Sequence, residues 1–414
     1  MNDSTHGQGS TSGGRQGREP TVGGIPQDRL PPDPARGDGA DEDALSRFYG
    51  KVENQYLAPL WRIGGAIMPP EPRPAARPWL WRFSTLKELA REAGDLVPIS
   101  RGGDRRVLAC VNPGLWGRVQ GATSTLWAAV QYLLPGESAP GHRHSASALR
   151  FVVDGKGAWT TVDGERLFMS PGDLVLTPAQ TWHDHENPGD EPMVWFDGLD
   201  LPLTAYLDAG FIEPYEDGRQ AVLDTHASER AFRSAGLIPE RPPSAVEGEG
   251  ATDLPHGLPD PPRLRHSRLM RYPWERTAEA LEALREEPGD PHDDLLLRYT
   301  DPETGGPVLP TLDATVQLLR QGASTRPHRH VHSTVYQVFR GEGETVVDGL
   351  RFRWRPGDIL AIPPWALHEH RTPDQEAILF AITDEPVIEA LGYQREATVD
   401  EPQRVEGDFD PEGS

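Results

Sequence analysis

The chain has 414 residues, with 41 Lys+Arg against 64 Asp+Glu and a net charge of −23. It lacks the basic balance that nucleic-acid binding requires. Gly (43) and Pro (42) are abundant and hydrophobic residues make up 36%, which disfavours a helical bundle and suits a turn-rich β protein. No apolar run approaches the ~20 residues of a bilayer span, the start has no secretory apolar core, and the single cysteine, Cys110, excludes an internal disulfide or a thiolate metal cluster. A cytoplasmic protein is expected.

Residues 1–43 are rich in Gly, Pro, Ser and Asp and are expected to form a disordered tail. Residues 44–104 read as a helical extension, with helical patches at 44–57 and 84–93 on either side of the proline-rich connector 69–74. The second patch opens on Ser84, which predicts an N-cap there. From 105 to 210 the pattern becomes short apolar runs divided by Gly and Pro, the signature of strands and turns. Residues 211–290 read as a helical and linker segment, Pro/Gly/acid-rich over 240–264. A second strand-rich stretch covers 291–393, and the acidic end, 394–414, is expected to be disordered.

The two strand-rich stretches are copies of one another. At an offset of 186, Thr125–Gly136 aligns with Thr311–Gly322 and His142-Arg-His144 with His328-Arg-His330; residues 125–157 keep 15 identities in 33 positions. Further on, Pro171-Gly-Asp and Pro178-x4-His183 align with Pro356-Gly-Asp and Pro363-x4-His368 at an offset of 185. Within a copy, the paired histidines lie two residues apart, so a strand turns both imidazoles to one face. A third, His183, follows 39 residues after His144. Three imidazoles converging from two strands suit a divalent first-row metal and leave positions open for other ligands.

This frame resembles the cupin superfamily. Gly136-x5-His142-x-His144 with Gly155 is similar to its first motif. Gly172-x5-Pro178-x4-His183 with Asn187 is similar to its second, with Gln180 where the motif usually has Gly. The resemblance implies an all-β bicupin: two double-stranded β-helix (jelly-roll) barrels with a helical N-terminal extension and a metal at the barrel mouth. Many cupins add a Glu ligand four or five residues after the second His. Those positions are Ala148 and Leu149, and Thr334 and Val335 in the second copy, which disfavours the manganese bicupins that act on oxalate.

The first copy carries groups that the second lacks. Arg150 aligns with Tyr336 and Trp127 with Asp313, and Arg106 in Arg105-Arg-Val-Leu has no paired-arginine counterpart in Leu295-Leu-Leu-Arg. Arginines beside a metal suggest capture of a carboxylate, and Trp127 offers an aromatic wall to a flat substrate.

The run from Pro135 to Gly155, Arg105-Arg-Val-Leu with Asn112-Pro-Gly-Leu, Trp182-His-Asp-His-Glu-Asn and Trp195-Phe-Asp-Gly-Leu-Asp together resemble the ring-cleaving bicupins: gentisate 1,2-dioxygenase with its salicylate and 1-hydroxy-2-naphthoate relatives. That resemblance implies Fe(II), O2 and a small aromatic acid as substrate, no nucleic-acid or membrane partner, and a cytoplasmic homo-oligomer, usually a tetramer. It implies that His142, His144 and His183 hold the iron and that Arg106 and Arg150 hold the substrate carboxylate. His185 would donate to bound oxygen or take the phenolic proton; Gln131 and Asp197 would hydrogen-bond in the pocket. Gentisate, cleaved to maleylpyruvate, is the first expectation. Trp127 stands where many gentisate enzymes have Tyr, so salicylate or 1-hydroxy-2-naphthoate is the alternative. A non-oxidative cupin isomerase or decarboxylase, or a ligand-binding bicupin, is the remaining reading. The second copy keeps His328, His330 and His368; it is expected to be structural and able to hold a second metal.

Overall fold

The computed structural model describes residues 21–22, 25–26, 30–37, 39–97, 106–234 and 266–411. Most of the expected N-terminal tail, the 240–264 linker and Arg105 lie outside those residues. The chain divides into two compact units, 1–73 and 74–414. In the first unit, helix α1 (Glu42–Glu53) is capped by the Asp41 carboxylate, which accepts the Ala44 N–H at 2.9 Å, and carries Glu42 and Asp43 in its first turn, both favourable to a helix start. Helix α2 (Leu60–Ile67) follows. The Trp61 indole N–H donates to the Tyr49 hydroxyl at 3.2 Å, tying the two helices together.

The second unit contains two modules, each a pair of facing six- or seven-stranded sheets. In the first module one sheet runs, edge to edge, Val107–Ala109, Trp127–Leu133, Met193–Leu199, Ala148–Asp154, Leu174–Thr177, Arg271–Tyr272. The facing sheet runs Ile212–Pro214, Ser138–His144, His183–Glu186, Trp159–Val162, Glu165–Phe168, Asp224–Thr225. Alternation along the strands sends Leu133, Val152, Val175 and Trp195 from the first sheet, and Val162, Leu167 and Met169 from the second, into one core. The second module repeats this with Leu319, Tyr336, Val338, Val347, Phe352 and Leu379. The opposite faces of the two six-stranded sheets that contain Ala148–Asp154 and Ala377–Thr383 bury against one another: Phe151 stacks on Phe380 with ring centroids 4.2 Å apart. Gly198 permits this approach, since a Cβ there would lie 2.7 Å from Ile382 Cδ1.

Each module receives its last edge strand from the segment that precedes the other. Trp79–Trp81, followed by helix α3 (Phe83–Leu96), pairs with Ile359–Ile362 of the second module. Arg271–Tyr272, in turn, pairs with Leu174–Thr177 of the first and leads into a helix at Trp274–Ala283. The anchors match. Asp358 accepts the Phe83 N–H and Arg82 Nη1, each at 2.8 Å; Asp173 accepts the Trp274 N–H at 2.9 Å and Arg271 Nε at 3.0 Å. The predicted N-cap at Ser84 is therefore corrected. The N-cap is Arg82, two residues earlier, and the first helical N–H, that of Phe83, is satisfied by a carboxylate from the distant second module rather than by a local side chain.

The acidic end is also corrected. Glu396–Thr398 pairs antiparallel with His328–His330, and Gly407–Asp408 pairs parallel with Leu350 and Arg351. Ile212–Pro214 and Asp224–Thr225 do the same for the first module. Backbone ladders hold these segments, so a sequence poor in apolar side chains still becomes ordered. Among the described residues, no helix is long and apolar enough to cross a membrane.

Candidate active site

His142 and His144 end the strand Ser138–His144, and His183 opens the neighbouring strand directly opposite His142. The three rings have centroids 4.4, 4.8 and 5.6 Å apart, and one nitrogen from each lies within 4.8 Å of the others. Each Nδ1 meets a main-chain carbonyl: His142 that of Pro140 at 3.0 Å, His144 that of Ala146 at 2.8 Å, His183 that of Thr181 at 3.0 Å. A carbonyl only accepts, so each Nδ1 carries a proton, and in the neutral ring Nε2 keeps its lone pair. His183 Nε2 is buried with no hydrogen-bond partner. Burial, then the Arg150 charge, holds the His183 imidazole well below its usual range and so neutral. Three imidazoles, each with Nδ1 on a main-chain carbonyl, and an orphaned buried nitrogen on the neutral His183 fit a divalent metal.

Local backbone geometry sets the second of these ligands. Gln180, at the position where the motif usually has Gly, has φ +67° and donates its N–H to the His144 carbonyl at 2.8 Å. Trp365 does the same for His330, with φ +66° and a bond of 2.7 Å. The turn needs a left-handed residue, which is why Gly is favoured there.

The facing sheet supplies the polar wall. Register places Arg150 opposite Asp197, and both share an inward face with Gln131 and Trp195, two residues along their strands or across the ladder. Arg150 is buried; its Nη1 donates to Thr177 Oγ1 at 2.8 Å and its Nε stands 3.1 Å from Asp197 Oδ1. Asp197 also accepts the Trp195 indole N–H at 3.2 Å. Burial pushes the Asp197 carboxyl up to about 6, against the opposing pull of Arg150. Trp127, half-buried, begins the same strand as Gln131 and shares its face. His185 lies two residues past His183, 5.9 Å from its ring and 5.5 Å from Trp195. Its Nδ1 is 2.8 Å from the Thr160 hydroxyl, which in turn donates to Met169 Sδ at 3.4 Å. With the hydroxyl hydrogen turned to that sulfur, Nδ1 donates and Nε2 is the acceptor. Burial, then Arg150, keeps this ring neutral too.

Arg106 does not join this group. The register pairs Val107 with Gln131, so alternation turns Arg106 to the opposite face of the sheet. There its guanidinium is buried, ion-paired to Glu137 and donating to the Val97 carbonyl at 3.2 Å. The expected pair of arginines at the metal is thus reduced to Arg150. Sequence reasoning passed over Thr177 and Thr160, which orient Arg150 and His185. The second left a signal: Thr160 and His185 recur as Thr345 and His370, again joined at 2.9 Å.

In the second module His328, His330 and His368 come together in the same way, with ring centroids 4.2, 5.1 and 5.7 Å apart.

Comparison with known proteins agrees with this geometry. The cupin-domain family matches residues 129–199 and 315–383. A 5-aminosalicylate 1,2-dioxygenase from Comamonas sp is 41% identical over 377 residues, covering 89% of this chain and 94% of that protein. A gentisate 1,2-dioxygenase from Streptomyces sp is 41% identical over 363 residues, covering 85% and 94%. The crystal structure of a salicylate 1,2-dioxygenase from Pseudoaminobacter salicylatoxidans, in adducts with gentisate, superposes with a TM-score of 0.77 at 38% identity, covering 88% of this chain and 96% of that one. The chain is a metal-dependent bicupin and belongs to the gentisate and salicylate 1,2-dioxygenase family, oxidoreductases that cleave an aromatic ring with O2.

Proposed function

We propose that this chain is an Fe(II) dioxygenase that opens gentisate between its carboxyl- and hydroxyl-bearing carbons to give maleylpyruvate. The observation that carries the reading is the three-histidine cluster facing one buried guanidinium, Arg150. His142, His144 and His183 would hold the iron; when bound, it supplies chelation of the substrate and the electrons that activate O2. A three-imidazole set without a carboxylate leaves room for a bidentate guest and O2 together.

The chain's own residues handle charge, position and protons. Arg150 receives the substrate carboxylate, pre-oriented by Thr177 and Asp197, so little rotamer freedom is lost on binding. Trp127 flanks the ring, and Gln131 hydrogen-bonds polar groups at the pocket wall. His185, neutral and held at Nδ1 by Thr160, takes the phenolic proton at Nε2 as the hydroxyl approaches the metal. Salicylate is the second reading, favoured by Trp127. We further assign the chain to a cytoplasmic homotetramer; half-exposed Trp61 and fully exposed Tyr56 in the first unit are the kind of apolar surface an assembly covers.

Anaerobic reconstitution with Fe(II), followed by gentisate, salicylate or 1-hydroxy-2-naphthoate in air, tests the reading. Stoichiometric O2 uptake and a longer-wavelength ring-opened product with gentisate are expected. Salicylate turnover with gentisate inert would transfer the assignment to the second reading, and no O2 uptake with any of the three would overturn both. Light scattering gives the subunit number.

A further inference from the structure

Helix α3 and the helix Trp274–Ala283 start from matched anchors: Phe83 lies against Gly357, and Trp274 against Gly172. Matched rows of side chains cross the sheets they pack on. Register lines up Tyr132, Val194 and Asp154 in the first module, and Leu318, Ile378 and Arg340 in the second.

In the first module this corner is closed. Lys87 Nζ reaches the Asp154 carboxylate at 2.8 Å, and a Cβ on Gly94 would lie 3.4 Å from Leu134 and 4.0 Å from Tyr132. In the second module Ala278 takes the place of Lys87, Leu318 that of Tyr132 and Arg340 that of Asp154. Two side chains are shorter, and the charge at the strand end is reversed. A cavity of about 160 Å³ opens as a result, with Leu281, Leu318 and Ile378 as its apolar lining and Trp274 beside them. An apolar cavity of ~150 Å³ takes up benzene, so this one has room for a single six-membered ring.

The charges in the lining are unequal. Arg285 donates to Glu282 at 2.7 Å and to Glu376 at 2.5 Å, so these three neutralise one another locally. Arg340 makes no ion pair among the described residues. Its guanidinium lies 4.7 Å from the Trp274 ring centroid and 4.8 Å from that of Phe339. Stacking fixes the guanidinium plane and leaves its N–H edge to receive a carboxylate.

We propose that this cavity binds a small aromatic carboxylate, with its ring on Leu281, Leu318 and Ile378 and its carboxylate on Arg340. The site lies outside the first module's pocket, and it stands whichever acid that module cleaves.

The test is calorimetric titration of the full-length protein with benzoate. Two benzoates per protomer are expected in the wild type, one at Arg150 and one at Arg340. Arg150→Met should retain one. In that background Arg340→Met is expected to weaken binding by about tenfold or more, through loss of a charge-assisted contact. Leu318→Tyr, which copies the first module's residue into the cavity, should abolish it with Arg340 intact. Benzyl alcohol, which lacks the charge, should bind about tenfold more weakly than benzoate. Arg340→Met alone should leave aromatic-acid turnover unchanged. No benzoate bound by Arg150→Met would overturn the site, and equal affinity for benzoate and benzyl alcohol would overturn the carboxylate contact. Where Arg150→Met fails to fold, the wild type decides: the same stoichiometry with and without Arg340→Met would overturn the site. Loss of the Arg340 benzoate alone counts against this site, and loss of the Arg150 benzoate alone counts against the first module's assignment.

Discussion

Thr125, at the start of the first module, donates its hydroxyl to Asp384 Oδ2 of the second at 2.5 Å. The mirror relation holds on the other side, where Thr311 of the second module donates to Asp200 Oδ2 of the first, also at 2.5 Å. Each aspartate also accepts a serine N–H of its own module, Ser333 for Asp384 at 2.6 Å and Ser147 for Asp200 at 2.8 Å. These loops follow the histidine pairs, so the cross-brace links the two histidine clusters through the backbone.

The brace gives stability a pH dependence. Burial pushes the Asp384 carboxyl up to about 6, with the Thr125 and Ser333 hydrogen bonds opposing. A raised carboxyl binds its proton more tightly folded than unfolded. Its contribution is therefore complete below about pH 4 and is lost as pH rises through 6. Relative to Asp384→Asn, the wild type should lose about 3 kcal/mol between pH 4 and 7, from roughly 1.36 kcal/mol per pH unit. Urea denaturation at stepped pH reads this directly; a constant difference between the two proteins would refute it.

Arg150 serves both substrate and fold. Arg150→Met is expected to lower kcat/KM for the aromatic acid by about 100-fold or more through loss of a charge-assisted carboxylate contact. It also leaves Asp197 buried without its cation, at about 3–5 kcal/mol. Arg150→Met/Asp197→Leu should recover most of the stability and none of the activity. Steady-state kinetics and denaturation midpoints separate the two effects. Unchanged turnover in Arg150→Met, with activity abolished instead by His328→Ala, would reverse the roles given to the two modules.

Thr160 acts through His185. Thr160→Val removes the hydroxyl that fixes Nδ1, so the ring tautomer is no longer set. We expect kcat to fall by roughly tenfold or more with KM little changed, and Thr160→Ser to rescue it. A rise in KM at constant kcat would place Thr160 in substrate binding instead.

Gln180 carries a backbone conformation that costs an ordinary residue about 1–2 kcal/mol. Gln180→Gly should fold and load metal normally. Gln180→Val should lose further stability, because a β-branched residue tolerates positive φ less well than Gln, and bind metal more weakly as the turn that holds the His144 carbonyl shifts. Thermal melts and metal affinities of the two variants check this.

The triads were legible because a strand repeats every two residues and because each motif occurs twice, so His142, His144 and His183 needed no tertiary information. Asp197 and Arg150 could be named, but their pairing depends on register between strands more than 40 residues apart. Arg106 was misplaced because Arg105 and Arg106 lead into a short edge strand, where parity is set by the partner, not by local pattern. The edge strands Trp79–Trp81 and Arg271–Tyr272 have too few residues to show a period. The paired segments after 394 carry no apolar alternation at all.

The exchanged edge strands govern how the protein can be made. On a ribosome, Trp79–Trp81 emerges early, yet its partner Ile359–Ile362 follows some 280 residues later, a wait of roughly 15–60 s at ordinary elongation rates. Until then three aromatic-rich residues and helix α3 have no place to dock, and the first half stays unfinished until Arg271–Tyr272 arrives. Neither half is a separable domain, and a chain cut within the linker yields two fragments that complete one another only on reassociation.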